Sequence, residues 1–183
     1  MTRILVFTAT YDEARNAPLW VKGVRDAVPG AELLVVDDGS PDGTGQILDG
    51  LAGDDASLTV LHRPGKSGLA SAHRLAIGYA LEHDYDVLIT MDADGSHLPA
   101  QIPRLLSAIP PSDFVIGTRY RGGSHRAGGL RRTLSAGANG LARVVLPTGL
   151  SEYTTSFRAF DKLALEILRN ADFASGGYAF FVE

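Results

Sequence analysis

The 183-residue chain has no cysteine. That excludes a disulfide framework, a thiolate metal site and a thiol nucleophile. No stretch approaches the roughly 18 consecutive apolar residues that a membrane-spanning helix needs. The opening run Met1-Thr2-Arg3-Ile4-Leu5-Val6-Phe7 enters strand-like sequence at once and is too short for a signal peptide. A cytosolic location fits these absences. Positive charge is in short supply overall, with 17 Lys and Arg against 21 Asp and Glu and a net charge of −4. That balance argues against general nucleic-acid binding. Negative charge is missing locally. No acid occurs between Asp113 and Glu152, whereas Arg119, Arg121, Arg126, Arg131, Arg132 and Arg143 all fall there. Such a segment is either a solvated basic face or a surface that meets phosphates, on a substrate or on a membrane.

What is present is an alternation of short apolar runs with helix-like segments. The length predicts one domain with a real core. Strands are predicted at Arg3–Phe7, Glu32–Val36, Leu58–His62, Val87–Met91 and Phe114–Gly117. Helices are predicted at Asp12–Val28, Gly43–Leu51, Gly68–His83, Ala100–Ser107, Leu130–Leu146 and Lys162–Asn170. The β-α-β-α order calls for an α/β fold, a mostly parallel sheet with helices on both faces. Ligands collect beyond the C-terminal ends of strands in such sheets, and every chemically loaded segment here follows a predicted strand.

The densest signal is Val87-Leu88-Ile89-Thr90-Met91-Asp92-Ala93-Asp94. On an extended chain, residues i and i+2 point the same way. Asp92 and Asp94 would crowd two negative charges together, which is costly unless a cation sits between them. Oxygen ligands suit Mg²⁺ or Mn²⁺, the usual holders of a diphosphate. Ser96 or His97 would be a further metal or phosphate contact, the plainer reading of His97 being a loop side chain. After the first strand, Tyr11 would frame a base and Glu13 would accept from base or ribose donors. The competing reading there is a helix start capped by Thr10 or Asp12. The second strand runs into Asp37-Asp38-Gly39-Ser40-Pro41-Asp42-Gly43-Thr44, a turn built for a ligand, with Asp42 as a turn or cap residue. His62-Arg63-Pro64-Gly65-Lys66-Ser67-Gly68 lacks the spacing of a P-loop. In the basic segment, Arg131 and Ser135 share a helix face at i and i+4 and would hold one phosphate together.

In this order the segments resemble the dolichyl-phosphate (polyprenyl-phosphate) mannose synthases, inverting nucleotide-sugar-dependent family 2 glycosyltransferases of GT-A fold. The resemblance rests on Thr10–Glu13, Asp37–Thr44, Gly65–Leu69, Asp92-Ala93-Asp94, Gly117–Tyr120, Arg131–Ser135 and Tyr153–Arg158. It implies a nucleoside pocket of Ala9, Tyr11, Glu13, Val36 and Asp38. It implies a metal and diphosphate site at Asp92, Ala93 and Asp94, with Ser96 where the family has a Gln metal contact. It implies acceptor-phosphate contacts at Arg119, Arg131 and Ser135. The chain departs from the family at Ala9 (usually Pro), Asp12 (usually Asn) and Ser96. The family's D-x-T-S-G-F-R appears as Glu152-Tyr153-Thr154-Thr155-Ser156-Phe157-Arg158, which puts Ser156 where the pattern has Gly.

The expected activity is metal-dependent transfer of a sugar, mannose from GDP-mannose, to a polyprenyl phosphate, with Mg²⁺ or Mn²⁺ as cofactor. Expected partners are the nucleotide-sugar donor, the lipid-phosphate acceptor and a peripheral membrane surface or membrane-anchored protein. The rival readings are a UDP-sugar transferase with a lipid-phosphate or other acceptor, and a non-catalytic nucleotide-sugar binder. A haloacid-dehalogenase-like phosphatase, echoed by Asp92-Ala93-Asp94-Gly95-Ser96, lacks its later Lys and acidic motifs. Residues 1–183 are read as one catalytic domain, and the closing run Gly176–Glu183 as an element cut short.

Overall fold

The computed structural model describes residues 1–109, 112–118 and 155–171. In chain order these are β1 (Ile4–Thr10), α1 (Ala17–Ala27), β2 (Glu32–Asp37), α2 (Thr44–Asp54), β3 (Leu58–His62), α3 (Leu69–Glu82) and β4 (Val87–Thr90). A 3-10 turn (Pro99–Gln101), α4 (Ile102–Leu106), β5 (Phe114–Ile116), β6 (Arg158–Asp161) and α5 (Lys162–Asn170) follow. The sheet order is β3-β2-β1-β4-β6-β5. β1 to β4 are parallel to one another, and β6 runs antiparallel to both of its neighbours. The expected α/β architecture, mostly parallel and covered on both faces, is what forms.

Both faces are apolar because both are covered, so β2 reads Leu33-Leu34-Val35-Val36 without alternation. Val6, Leu33, Val35, Ile89 and Ala159 pack against Trp20 and Val24 of α1, Leu48 of α2 and Ile102 and Leu105 of α4. The opposite face sets Leu5, Phe7, Leu34, Val36, Leu88 and Phe160 against α3 and α5. Along α3, Ala72, Ala76 and Ala80 are all fully buried at a four-residue spacing. These small side chains form a stripe that lets the helix lie close on the sheet.

Most boundaries shift by a few residues, and three differences from the sequence reading bear on the site. β1 continues to Thr10, because Ala9 and Thr10 stay in register with Val36 and Asp37. α1 begins at Ala17, not Asp12. Asp12 has φ 60, its amide donates to Ser40 Oγ at 3.1 Å and the Ala14 amide donates to Asp42 Oδ2 at 2.9 Å. The loop after β2 therefore holds residues 12–14 out of the helix. Neither Thr10 nor Asp12 is the cap; Asn16 is, without a side-chain cap bond. β6 was not among the predicted strands. It is four residues long and opens on an arginine, so its periodicity is silent, and it is defined by pairing with β4 and β5. The predicted helix Leu130–Leu146 lies outside the described residues.

Candidate active site

The loops after β1, β2, β3 and β4 and the chain entering β6 meet at one edge of the sheet. After β2, neighbouring aspartates divide the work. Asp37 is 2% exposed. Its Oδ1 accepts from Thr10 Oγ1 at 3.0 Å and Ser40 Oγ at 2.6 Å, and its Oδ2 accepts from the Ser40 amide at 3.1 Å. It is the structural centre of the turn. Asp38 Oδ1 accepts from Arg63 Nε at 2.5 Å, and Arg63 also donates to Ser71 Oγ at 2.6 Å. Gly39 sits beneath Arg63 and Pro64 with φ +69, and a Cβ there would come within 3.2 Å of their main chain. Glycine is required both for conformation and for room. Asp42 holds the turn, as expected: its Oδ1 accepts from the Thr44 amide at 3.1 Å and Thr44 Oγ1 at 2.5 Å.

The Glu13 amide donates to Thr44 Oγ1 at 2.9 Å, and its Oε2 accepts from Asn16 at 2.7 Å. Burial raises the Glu13 pKa; the Asn16 bond opposes this, and the charges of Asp94, Asp42 and Asp92 raise it further. Asp94, Asp42 and Asp92 are thus near enough to Glu13 for their charges to act on it. Lys66 Nζ lies 3.6 Å from the centre of the Tyr11 ring, a cation–π contact that folds the β3–α3 loop over that residue.

Beyond β4 the inward–outward alternation continues. Met91 and Ala93 are buried in the core, Asp92 is half-buried and Asp94 is exposed. Both acids are thus open to solvent on either side of the buried Ala93, although β4 itself ends at Thr90. The Ser96 amide donates to Asp94 Oδ1 at 2.8 Å, and the Ser96 side chain is exposed. His97 is 7% exposed and lies in the protein interior. Its Nδ1 accepts from the Asp92 amide at 2.9 Å, and its Nε2 is 3.2 Å from Thr155 Oγ1. With both ring nitrogens engaged by protein, the plainer reading of His97 holds, and the metal or phosphate contact does not. Ser156 Oγ donates to Asp92 Oδ1 at 2.5 Å.

The structure gathers Ala9, Tyr11, Glu13, Val36, Asp38, Asp92, Ala93, Asp94 and Ser96 at this edge. The side chains of Val36 (0% exposed) and Ala93 (5%) belong to the core, so what they offer a ligand is main chain. Arg119, Arg131 and Ser135 lie outside the described residues. Sequence reasoning passed over Arg63, Thr155 and Ser156 as individual site residues. Arg63 gave a faint signal, a cation in the loop beside two acids; the other two are reached only through β6.

Among the described residues, no group of three His, Cys, Asp or Glu converges in a way that could hold a metal by itself. Two carboxylates are nevertheless the donor pattern with which Mg²⁺ or Mn²⁺ binds a phosphate ligand, the remaining positions going to phosphate and water. Asp92 and Asp94 fit that pattern.

The profile described as Glycosyl transferase family 2 matches residues 5–169. An undecaprenyl-phosphate mannosyltransferase from Micrococcus luteus is 41% identical over 183 residues, covering 99% of this chain and 75% of its own. A polyprenol monophosphomannose synthase from Mycolicibacterium smegmatis is 42% identical, covering 99% of this chain and 70% of its own. Among solved structures, glucosyl-3-phosphoglycerate synthase from Mycobacterium tuberculosis, in complex with Mn²⁺, UDP-glucose and phosphoglyceric acid, superposes with a TM-score of 0.73 at 20% identity. That match covers 99% of this chain, which spans 63% of the synthase. A mannosyltransferase from Pyrobaculum calidifontis, in complex with GDP-Man and Mn²⁺, gives a TM-score of 0.59 at 19% identity over 91% of this chain and 46% of its own. The structural likenesses place the fold with the GT-A glycosyltransferases. Profile and sequence identity together place the chain in glycosyl transferase family 2, with the polyprenyl-phosphate mannosyltransferases, and make it a hexosyltransferase.

Proposed function

We propose that the protein transfers mannose from GDP-mannose to a polyprenyl phosphate, with inversion at the sugar C1. Two supports carry this reading: relatives of 41% and 42% identity bear mannosyltransferase names, and the acidic edge of the sheet suits a metal-held diphosphate. The observation that bears most weight is that Asp92 and Asp94, directly beyond β4, are both solvent-accessible while Met91 and Ala93 are buried.

In this reading the nucleoside lies between Tyr11 and the Asp38–Arg63 pair. Asp92 and Asp94 hold Mg²⁺ or Mn²⁺, with Ser96 beside them. The ion, when bound, supplies Lewis-acid neutralisation of the leaving diphosphate. Arg119, Arg131 and Ser135 are assigned to the acceptor phosphate, the guanidinium groups giving bidentate contact. An acceptor phosphate oxygen forms the new bond to C1, and the bond from C1 to the diphosphate oxygen breaks on the opposite face. A phosphate monoester has a second pKa near 6, so the nucleophile is already ionised at neutral pH. No side chain has to remove a proton, and the protein's task is positioning. Residues 1–183 belong to one catalytic domain, which would work at a membrane surface where the lipid acceptor resides.

Calorimetric titration with GDP, UDP, GDP-mannose and UDP-glucose, with and without Mn²⁺, tests the reading. Metal-dependent binding of GDP and GDP-mannose is expected. Preference for UDP would move the donor and leave the chemistry intact. Absence of binding to all four would overturn the proposal.

A further inference from the structure

We infer that His97 and Ser156 are positioning residues that hold Asp92 at two points, by its main chain and by its carboxylate, in the orientation required for a divalent cation. The inference rests on the proposed metal role of Asp92.

The geometry is a closed circuit between the loop after β4 and the chain entering β6. His97 Nδ1 accepts from the Asp92 amide at 2.9 Å. A nitrogen that accepts an amide hydrogen carries none of its own, so the ring hydrogen is on Nε2. Nε2–H then donates to Thr155 Oγ1 at 3.2 Å, which also accepts from the Phe157 amide at 3.2 Å. The 3.6 Å approach of Asp92 Oδ2 to Nδ1 is therefore a contact and not an ion pair. The His97 ring is stacked on Phe157, with centroids 5.3 Å apart and planes 20° from parallel. On the carboxylate side, Ser156 Oγ donates to Asp92 Oδ1 at 2.5 Å. Ser156 is itself anchored, because its carbonyl accepts from Thr90 Oγ1 in the last residue of β4. Thr155, Ser156 and Phe157 are all buried, whereas the Asp92 side chain is 42% exposed. A buried rigid support thus carries an accessible carboxylate.

A carboxylate with one oxygen occupied by a fixed donor presents the other in a restricted orientation. Partners of this kind order a ligand before the metal arrives, and their loss typically weakens metal affinity about 10–100-fold. The family motif quoted above has Gly where Ser156 stands, and this chain also lacks the family's Gln at Ser96.

The test is a Mn²⁺ titration in the presence of GDP, followed by the electron paramagnetic resonance signal of free Mn²⁺, with thermal midpoints recorded in parallel. Ser156→Ala and His97→Leu are expected to weaken Mn²⁺ about 10-fold or more while the metal-free midpoint changes by only a few degrees. His97→Asn, which keeps an acceptor for the Asp92 amide, is expected to recover most of the loss. Wild-type Mn²⁺ affinity in both Ser156→Ala and His97→Leu would overturn the inference and leave the metal role of Asp92 standing. So would a fall in affinity in all three variants that tracked the fall in midpoint, which is a structural effect alone. Failure of the metal role itself looks different: wild type and Asp92→Asn would then show the same weak Mn²⁺ response, and both ideas would fall together.

Discussion

Asp37 and Asp38 are adjacent in the chain and identical in composition, yet one carries the turn and the other pairs with an arginine. The difference lies in what surrounds them: Asp37 receives Thr10 and Ser40, and Asp38 receives Arg63. The side chains of Asp38 and Arg63 are each only 12% exposed. Removing one partner of such a pair leaves a charge poorly solvated, so Arg63→Ala is expected to cost about 3 kcal/mol in urea denaturation. The Arg63→Ala/Asp38→Ala double variant should cost clearly less than the sum of the single variants, and strict additivity would contradict the pairing. His73 supplies a second residue-level expectation. It is 4% exposed and meets Phe7 edge-on at 5.2 Å. Burial, and then the nearby charge of Arg158, push its pKa down from 6.5 to about 3. The unfolded chain therefore takes up a proton below pH 6.5 that the native state refuses until about pH 3. Stability is unaffected by this group above pH 6.5 and falls as the pH drops through that window, by about 1.4 kcal/mol per unit. Denaturation midpoints compared across the window should show this loss in the wild type and a smaller one in His73→Gln.

Secondary structure was legible where periodicity and composition act locally. α5 was read at its observed limits, Lys162–Asn170, and β3 at Leu58–His62. The start of α1 was misread because the bonds that keep Asp12 and Ala14 out of the helix come from Ser40 and Asp42, about thirty residues away. β6 was missed because a four-residue segment beginning with Arg158 has no strand signature of its own. Its consequence is large: through β6 the chain returns to β4 and delivers Ser156 to Asp92. Close approach of α3 depends on small residues. Ala76→Leu is expected to cost about 1–3 kcal/mol through overpacking. An unchanged denaturation midpoint would mean that the helix can withdraw from the sheet without penalty.

Taken as a whole molecule, the four parallel strands bring their C-terminal ends to one edge, and β6 closes the arrangement from the other side. Chemistry placed there depends on a divalent ion in the proposed function. Asp94→Ala, or removal of the metal with a chelator, should lower transfer about a hundred-fold or more, and Mn²⁺ should restore only the chelated wild type. A full transfer rate in Asp94→Ala would remove the metal assignment. The sequence by itself determined the fold class and showed that Asp38, Asp92 and Asp94 stand just beyond strand ends. It could do so because apolar runs ending in polar residues are local patterns that follow directly from strand geometry. Only the tertiary structure decided which acid is buried and which faces outward, that Arg63 partners Asp38, and that His97 and Ser156 hold Asp92. Those outcomes depend on hydrogen-bond partners that lie far apart in the chain and meet only when the sheet forms.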